Sequence, residues 1–378
     1  MSHLSRFVTV WSALQARVED GRVPGWAAAV RYRGEIEVRA GGCLTLGGAP
    51  AGPDALFRLS SLSKPFAGAL TLALVEDGVL RPDDPVARWL PELAAPRVLH
   101  TPRGPLDDTV AASVPITVGH LLSSTAGFGR PWDGSPLDRA VAAAGIGPGP
   151  ESPGVGPDEY LARWAELPLL AQPGERWTYH CSTDVLSVLL ARATDRPLRE
   201  LLAERVTGPL GLRSTGFSAV DPSRLTAAYL PQDGRLRLLD AADGRAARAP
   251  RFEGLAAGLV STAEDVLTFL CALADGGAPV LRQASVAAMT SDSLTPAQRR
   301  GAGDFLPAGT SWGLQVGVDT GGREPWQAAG RWGWDGGTGT TGWVDPHRDL
   351  VAVLLTTRGY GGPGDGTDWF WQAVHRCL

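Results

Sequence analysis

Ser61 and Lys64 are the residues in this sequence whose types and spacing best suit chemistry. They lie in the stretch LFRLSSLSKPFAGALTLALVEDG, and Lys64 is the single lysine among 35 basic residues. A lysine can release its proton, whereas an arginine effectively cannot, so a retained lysine marks a candidate proton acceptor. A serine hydroxyl needs such a base to attack a carbonyl carbon. The pair therefore predicts acyl transfer, and the alternative is a capping serine beside a solvated lysine, because an isolated SxxK pattern is common.

The element that must position this pair is a helix that begins within a few residues of Ser61. Pro65 is tolerated near a helix start, and an i, i+3 spacing then brings Ser61 and Lys64 to one face. The backbone N–H groups of a first turn are free to stabilise negative charge near the hydroxyl. One feature opposes this prediction: Lys64 precedes a proline, which disfavours helical angles.

Strand-like patterns occur at both ends of the sequence, and helical patterns dominate between about residues 64 and 250. GWAAAVRYRGEIEVRAGG predicts a hairpin that turns near Arg33 and Gly34, and GTTGWVDPHRDLVAVLLTTR predicts a second one. Residues 5–20 and the closing TDWFWQAVHRCL predict helices, while 129–157 reads as a long surface loop. Ser261 and Glu264 have capping-box spacing. We therefore predict a mixed α/β fold, an antiparallel sheet interrupted by a helical insertion.

Composition limits the classes of function. The 378 residues are 44% hydrophobic and 20% charged with a net charge of −5, which predicts a globular protein that binds neither nucleic acid nor membrane. Four scattered cysteines and six histidines show no metal-ligand spacing, so we expect no metal, no other cofactor and no disulfide framework. The simplest location is the cytoplasm.

Four stretches together resemble the serine hydrolases of the class C β-lactamase and penicillin-recognising family. They occur in the expected order and cover nearly the whole chain, and 129–157 is least alike. The stretches are FRLSSLSKPFAGALTLALVEDGVLRPDDPVARWLPEL, ITVGHLLSSTAGF, QPGERWTYHCSTDVLSVLLARATDRPLRELLAERVTGPLGLRSTGF and GRWGWDGGTGTTGWVDPHRDLVAVLLTTR.

This resemblance implies a single catalytic domain with two lobes and an active site at their junction. Residues 1–63 and 251–378 would form the α/β lobe, and 64–250 a mainly helical lobe. Ser61 would be the nucleophile, Lys64 its partner, and Tyr179 the group that shares a proton with the serine and the leaving group.

The resemblance also assigns the substrate side of the site. Trp334, Asp335 and Gly336 match the third family motif, usually lysine-threonine-glycine, and Gly337 would join Ser61 in the oxyanion hole. Cys181 stands at a substrate-binding position where lactamases commonly have asparagine. Because a tryptophan cannot pair with a carboxylate, the departures at 181 and 334 favour ester or amide hydrolysis over a dedicated lactamase.

Two other functions stay open. The same acyl-enzyme serves an acyltransferase of a biosynthetic pathway, and a non-catalytic member would only bind a small ester, amide or acyl ligand.

An apolar pocket is expected beside the site. We expect Trp132, the 129–157 loop and Trp334 to shape it.

Several motifs are better explained as chance or structure. Ser311 lies in a literal GxSxG, but WGLQVGVD alternates like a strand and supplies no following helix. GTGTTG at 337–342 is followed by WVDP instead of a helix, so it fails the context of a dinucleotide site. His180 and Cys181 are sequence neighbours that are expected to point apart, and His120 is expected to make a structural hydrogen bond.

Overall fold

The computed structural model describes residues 3–300, 302–362 and 364–378. The helices are α1 (Val8–Glu19), α2 (Lys64–Glu76), α3 (Val118–Leu122), α4 (Pro136–Ala144), α5 (Pro157–Ala165), α6 (Cys181–Thr194), α7 (Leu198–Leu202), α8 (Ala263–Ala274), α9 (Gln283–Met289), α10 (Pro296–Arg300) and α11 (Asp368–His375). The strands are β1 (Gly25–Tyr32), β2 (Glu35–Gly42), β3 (Phe57–Arg58), β4 (Arg97–Leu99), β5 (Thr109–Ala111), β6 (Ala228–Gln232), β7 (Arg235–Asp240), β8 (Val260–Ser261), β9 (Thr310–Trp312), β10 (Gly317–Asp319), β11 (Trp332–Gly336), β12 (Thr340–Asp345) and β13 (Leu350–Thr356).

A seven-stranded antiparallel sheet is the centre of the fold, with the strand order β2-β1-β13-β12-β11-β10-β9. Its two predicted hairpins are present: β1 turns into β2 through Arg33 and Gly34, which both have positive φ, and β12 turns into β13 through 346–349. Both φ values at 33 and 34 suit the tight turn that two-residue hairpins favour. The predicted antiparallel sheet is confirmed.

Alternate residues of β1 and β13 face opposite layers, as the two-residue period of a strand requires. Ala28 and Leu354 pack with α1 and α11, the terminal helices. Ala29 and Val353 face the larger core, which includes α2, α6 and α8. Terminal helices thus cover one face of the sheet, and α8 packs against the other face in a core that also includes α2 and α6 of the insertion.

The insertion differs from the prediction in three places. It contains two short hairpins, β4–β5 and β6–β7, in addition to its helices. The 129–157 segment, expected to be a loop, contains α4, which Ser135 caps and Gly145 ends with positive φ. The division of the chain at 63/64 and 250/251 stays a prediction.

Two local predictions need correction near the end of the chain. Thr262, not Ser261, caps α8 by accepting from the Asp265 amide, because Ser261 is the last residue of β8. SWGLQVGVD forms two strands instead of one, since Gln315 has a φ of 69° in the turn between β9 and β10. No helix within the described ranges has the length and apolar character to cross a bilayer.

Candidate active site

A 3-10 turn over Ser60–Ser63 places Ser61 immediately before α2. Lys64 has helical angles, φ −59° and ψ −40°, although it precedes Pro65. Pro65 itself is tolerated because it lies in the first turn, where its missing N–H has no helical acceptor to lose, and the helix forms in spite of the preference of Lys64 for extended angles. Ser60 has a φ of 50°, so the backbone bends sharply just before Ser61.

The Lys64 amine is buried and directed at Ser61. Its Nζ lies 3.1 Å from Ser61 Oγ and 2.7 Å from the carbonyl oxygen of Ala256. The Lys64 side chain is fully buried and Ser61 is 5% exposed. Burial lowers the pKa of Lys64 to about 7, and the Asp184 carboxylate opposes that change. An amine with this pKa is substantially deprotonated at neutral pH, as a general base must be.

A tight turn at His180 supplies the second group of the site. His180 has φ 78° and ψ −61°, and the Cys181 amide donates to the Tyr179 carbonyl at 3.0 Å. These values describe a γ-turn with positive φ, which is rare and strained. The turn brings Tyr179 and His180 to the same amine: Lys64 Nζ lies 4.6 Å from the Tyr179 ring centre and 3.3 Å from His180 Nδ1. His180 thus belongs to the site, which the sequence did not predict.

The Tyr179 hydroxyl is held by the third motif. Trp334 Nε1 donates to Tyr179 Oη at 3.0 Å, from strand β11. Burial raises the pKa of the Tyr179 phenol to about 12, against the opposing interactions with Ser61 and Trp334. The phenol is therefore neutral at pH 7 and keeps a proton to donate. Lys64, with its much lower pKa, is the better base of the two.

Gly336 and Gly337 bring β11 against the turn that holds Ser61. A Cβ at Gly336 would lie 2.2 Å from both the Leu59 carbonyl oxygen and Thr340 Oγ1, so only glycine permits this approach. Gly337 has more room, with Ser60 Oγ 3.7 Å from the same hypothetical atom. Among the described residues, the backbone N–H groups of Ser61 and Gly337 donate to no backbone acceptor. Both are available to bind an oxyanion.

Two residues assigned to substrate binding face the protein instead. Cys181 is fully buried in the hydrophobic core, and burial raises the pKa of its thiol far above the usual range. Asp335 accepts a 3.1 Å hydrogen bond from Trp343 Nε1 on the adjacent strand. The structure gives neither side chain a role toward a substrate, because the thiol has no accessible surface and the carboxylate is engaged within the sheet.

A row of aromatic rings leads from the surface to Tyr179. Trp132 and Phe305 are 42% and 40% exposed, and their ring centres are 4.7 Å apart. Phe305 stacks on Tyr179 at 4.9 Å. The sequence predicted a pocket residue at Trp132 but not at Phe305, which lies 173 residues further along the chain in a segment without a motif.

The remaining motifs lie outside this site. Ser311 is fully buried on β9 and hydrogen bonds to Asp292 and Arg299. His120 completes the capping box of α3, the expected structural hydrogen bond. GTGTTG spans the turn between β11 and β12 and the first three residues of β12, and the Gly339 amide in the turn donates to the Gly336 carbonyl. None of these segments shows the strand–turn–helix context that its literal motif requires.

Comparison with known proteins gives consistent results. The sequence matches the family described as Beta-lactamase over residues 11–376. It is 38% identical over 323 residues to Protein Rv1367c of Mycobacterium tuberculosis, covering 82% of this chain and 79% of that protein. It is 32% identical over 373 residues to Esterase EstB of Burkholderia gladioli, covering 91% of this chain and 88% of the esterase. The solved structure of EstCE1, described as a hydrolase with promiscuous acyltransferase activity, is similar with a TM-score of 0.84 and 28% identity over 99% of both chains.

Proposed function

The chain belongs to the Beta-lactamase family, and from that premise we propose that it hydrolyses a small ester or amide through an acyl-enzyme at Ser61. The observation that carries the proposal is the 3.1 Å contact between Ser61 Oγ and the buried Lys64 amine. The amine accepts the serine proton as Oγ attacks the carbonyl carbon. The carbonyl oxygen becomes negatively charged, and the N–H groups of Ser61 and Gly337 stabilise it.

Tyr179 serves the collapse of the tetrahedral intermediate, which completes acylation of Ser61. Its hydroxyl donates a proton to the leaving alcohol or amine, and the proton taken up by Lys64 replaces it. Water, activated by the same groups, then attacks the acyl-enzyme and restores Ser61. A positioned acid or base contributes about 10²–10⁴-fold, and an oxyanion donor about 10²–10³-fold.

A third motif with tryptophan in place of a cationic residue supports ester or amide substrates over β-lactams. Trp334 donates a neutral N–H to Tyr179, and it supplies no cation for a substrate carboxylate. The aromatic row formed by Trp132 and Phe305 supports an apolar substrate group, which packs favourably against ring faces.

Acyl transfer is the second candidate, because an acyl-enzyme reacts with any nucleophile that reaches it. The description of EstCE1 as a hydrolase with promiscuous acyltransferase activity favours this possibility. Products analysed with and without an added alcohol separate the two functions. A new ester formed at the expense of the free acid indicates transfer, and unchanged acid indicates hydrolysis alone.

The decisive experiment is intact-mass detection of an adduct after incubation with a fluorophosphonate or an activated ester. We expect one phosphonyl or acyl group per chain, according to the reagent, located on Ser61 by peptide mapping and lost in Ser61→Ala. The control is Ser311→Ala, which removes the other motif serine and leaves the adduct in place. An unmodified wild-type protein, or an adduct on another residue, contradicts the proposal.

The four free cysteines support a cytoplasmic location, which is part of this proposal. Unpaired thiols persist in reducing compartments. Fractionation of producing cells tests it, with recovery in the cytoplasmic fraction as the expected result.

A further inference from the structure

A buried polar chain continues from the active site beyond Lys64. His180 Nδ1 lies 3.3 Å from Lys64 Nζ, and His180 Nε2 lies 3.3 Å from Asp184 Oδ2, one helical turn into α6. Lys64, His180 and Asp184 are each at most 2% exposed. The order of contacts is therefore Ser61, Lys64, His180 and Asp184, without access of solvent to the last three side chains.

The contacts define one consistent protonation pattern. A carboxylate accepts hydrogen bonds, so Asp184 fixes the imidazole proton on Nε2. Nδ1 is then an acceptor for an N–H of Lys64, and the Ala256 carbonyl accepts a second N–H. A neutral amine has two N–H groups and one lone pair. With both N–H groups engaged, the lone pair is left for the Ser61 hydroxyl.

We propose that His180 and Asp184 are positioning residues that orient the Lys64 amine so that its lone pair faces Ser61. This inference rests on the proposed function, because it assigns a role toward the base of that reaction. It extends the site by two side chains that do not touch the substrate. A displacement of the base by about 1 Å is enough to lower the reaction rate about 100-fold.

The structure around His180 and Asp184 is energetically costly, and a positioning role explains why it is retained. His180 adopts strained backbone angles, and Asp184 Oδ1 has no hydrogen-bond partner among the described residues. Gly254 allows that carboxylate to fit, since a Cβ there would lie 2.8 Å from Asp184 Oδ1. A buried carboxylate with one unsatisfied oxygen is destabilising. Backbone strain and unsatisfied buried groups concentrate at functional sites.

The charge of Asp184 dominates the electrostatics around the amine. The ionisable groups that face it from α6, the γ-turn and the Ser61 turn are Asp184, Cys181, His180, Tyr179 and Ser61. Burial raises the pKa of Cys181 and of Tyr179 and lowers that of His180, so these groups are neutral near pH 7. Removing the Asp184 charge therefore favours the neutral amine and lowers the Lys64 pKa further.

The single lysine makes a direct test possible. Selective ¹³C labelling of lysine gives one side-chain NMR signal, whose pH titration reports Lys64 in the folded protein without reference to activity. We expect a midpoint near 7 in the wild type and about one pH unit lower in Asp184→Asn. Ser182→Ala is the matched control, because it removes from the same turn of α6 a fully buried hydroxyl that has no hydrogen-bond partner in the described part of the chain. Its midpoint should equal that of the wild type.

The pH dependence of kcat/KM for an activated ester is the second readout. His180→Phe removes the Nδ1 acceptor, and we expect a loss of about 10- to 100-fold relative to wild type. His180→Asn places an amide oxygen near the Nδ1 position, so it should recover part of that loss. In Asp184→Asn the acidic limb of the profile should shift to lower pH together with the NMR midpoint.

The outcomes separate this inference from the proposed function. An unacylated wild-type protein contradicts the proposed function. An acylated wild type whose lysine titrates near its ordinary value overturns the positioning role, and with it Lys64 as the base, but leaves the acyl-enzyme at Ser61 in place; this result needs no variant to fold. Unchanged rates and midpoints in folded His180→Phe and Asp184→Asn overturn it as well.

Discussion

The indole N–H of Trp334 donates a 3.0 Å hydrogen bond to the phenol oxygen of Tyr179. A neutral donor holds this oxygen in place but adds no positive charge that would stabilise a phenolate. Burial raises the pKa of Tyr179 to about 12, against the opposing effect of this hydrogen bond, while burial lowers the pKa of Lys64 to about 7. This difference in pKa supports the proposed division of the proton transfers, with the amine as base and the phenol as acid.

Tyr179→Phe should affect substrates according to their leaving groups. We expect a loss of about 10²–10⁴-fold in kcat for alkyl esters, whose alkoxide must be protonated as it leaves. Nitrophenyl esters should lose far less, because their leaving group is stable as an anion. Trp334→Phe should follow the same trend with a loss of about 10-fold, as expected for one neutral hydrogen bond. Equal losses for both ester types would contradict the role of Tyr179 as acid.

Replacing Lys64 with methionine should abolish turnover and stabilise the fold. Since the pKa of Lys64 falls from 10.5 when free to about 7 when buried, the unfolded chain binds a proton between these values and the folded chain does not. Stability of the wild type therefore rises with pH from about 7 to about 10. Lys64→Met removes this dependence and should be more stable by about 1–2 kcal/mol at pH 7.

Urea unfolding of wild type and Lys64→Met at several pH values between 7 and 10 measures this effect. The difference in the free energy of unfolding should narrow as the pH rises, because the unfolded chain is then itself deprotonated and folding no longer has to remove the proton from Lys64. A difference that is independent of pH would mean that Lys64 keeps an ordinary pKa in the folded protein.

Substitution by alanine should lower the stability of the protein more at Gly336 than at Gly337. Gly336→Ala places Cβ against the Leu59 carbonyl and Thr340, and should destabilise the protein by about 1–3 kcal/mol. Gly337→Ala meets no atom closer than 3.7 Å and should unfold within about 1 kcal/mol of the wild type. Thermal unfolding of the two variants measures the contrast. Similar destabilisation at both positions would show that the close contact of β11 with the Ser61 turn is not what requires glycine.

Phe305→Ala should weaken binding of esters with a large apolar acyl group. Loss of a ring that stacks on Tyr179 and contacts Trp132 is expected to raise KM about 10-fold for such esters, with a small effect on acetates. Ile36→Ala, which alters an exposed apolar residue on β2, is the control and should leave both values unchanged. An equal change in KM for both acyl groups would argue against an aromatic acyl pocket.

Much of the fold was predictable because its determinants are local. The hairpins at Arg33–Gly34 and 346–349 follow from alternating strand patterns and residues that tolerate positive φ. The helix α4 also had local signals, a Ser135–Pro136 start and a Gly145 end, but the surrounding glycines and prolines obscured them. The short strand β3 depends on a partner far along the chain, because Phe57 pairs with Ser261 of β8, so its limits were less accessible.

The sequence by itself determined that Ser61 and the single lysine share one helical face, because an i, i+3 spacing acts over one turn. Only the tertiary structure decided what surrounds that lysine: a carbonyl 192 residues away at Ala256, and His180 turned inward by a γ-turn. Sequence neighbours in an extended chain point apart, and a strained turn that reverses this is stabilised by packing, which no local pattern encodes. The pKa of Lys64 has the same origin, since it depends on burial among residues brought together by folding.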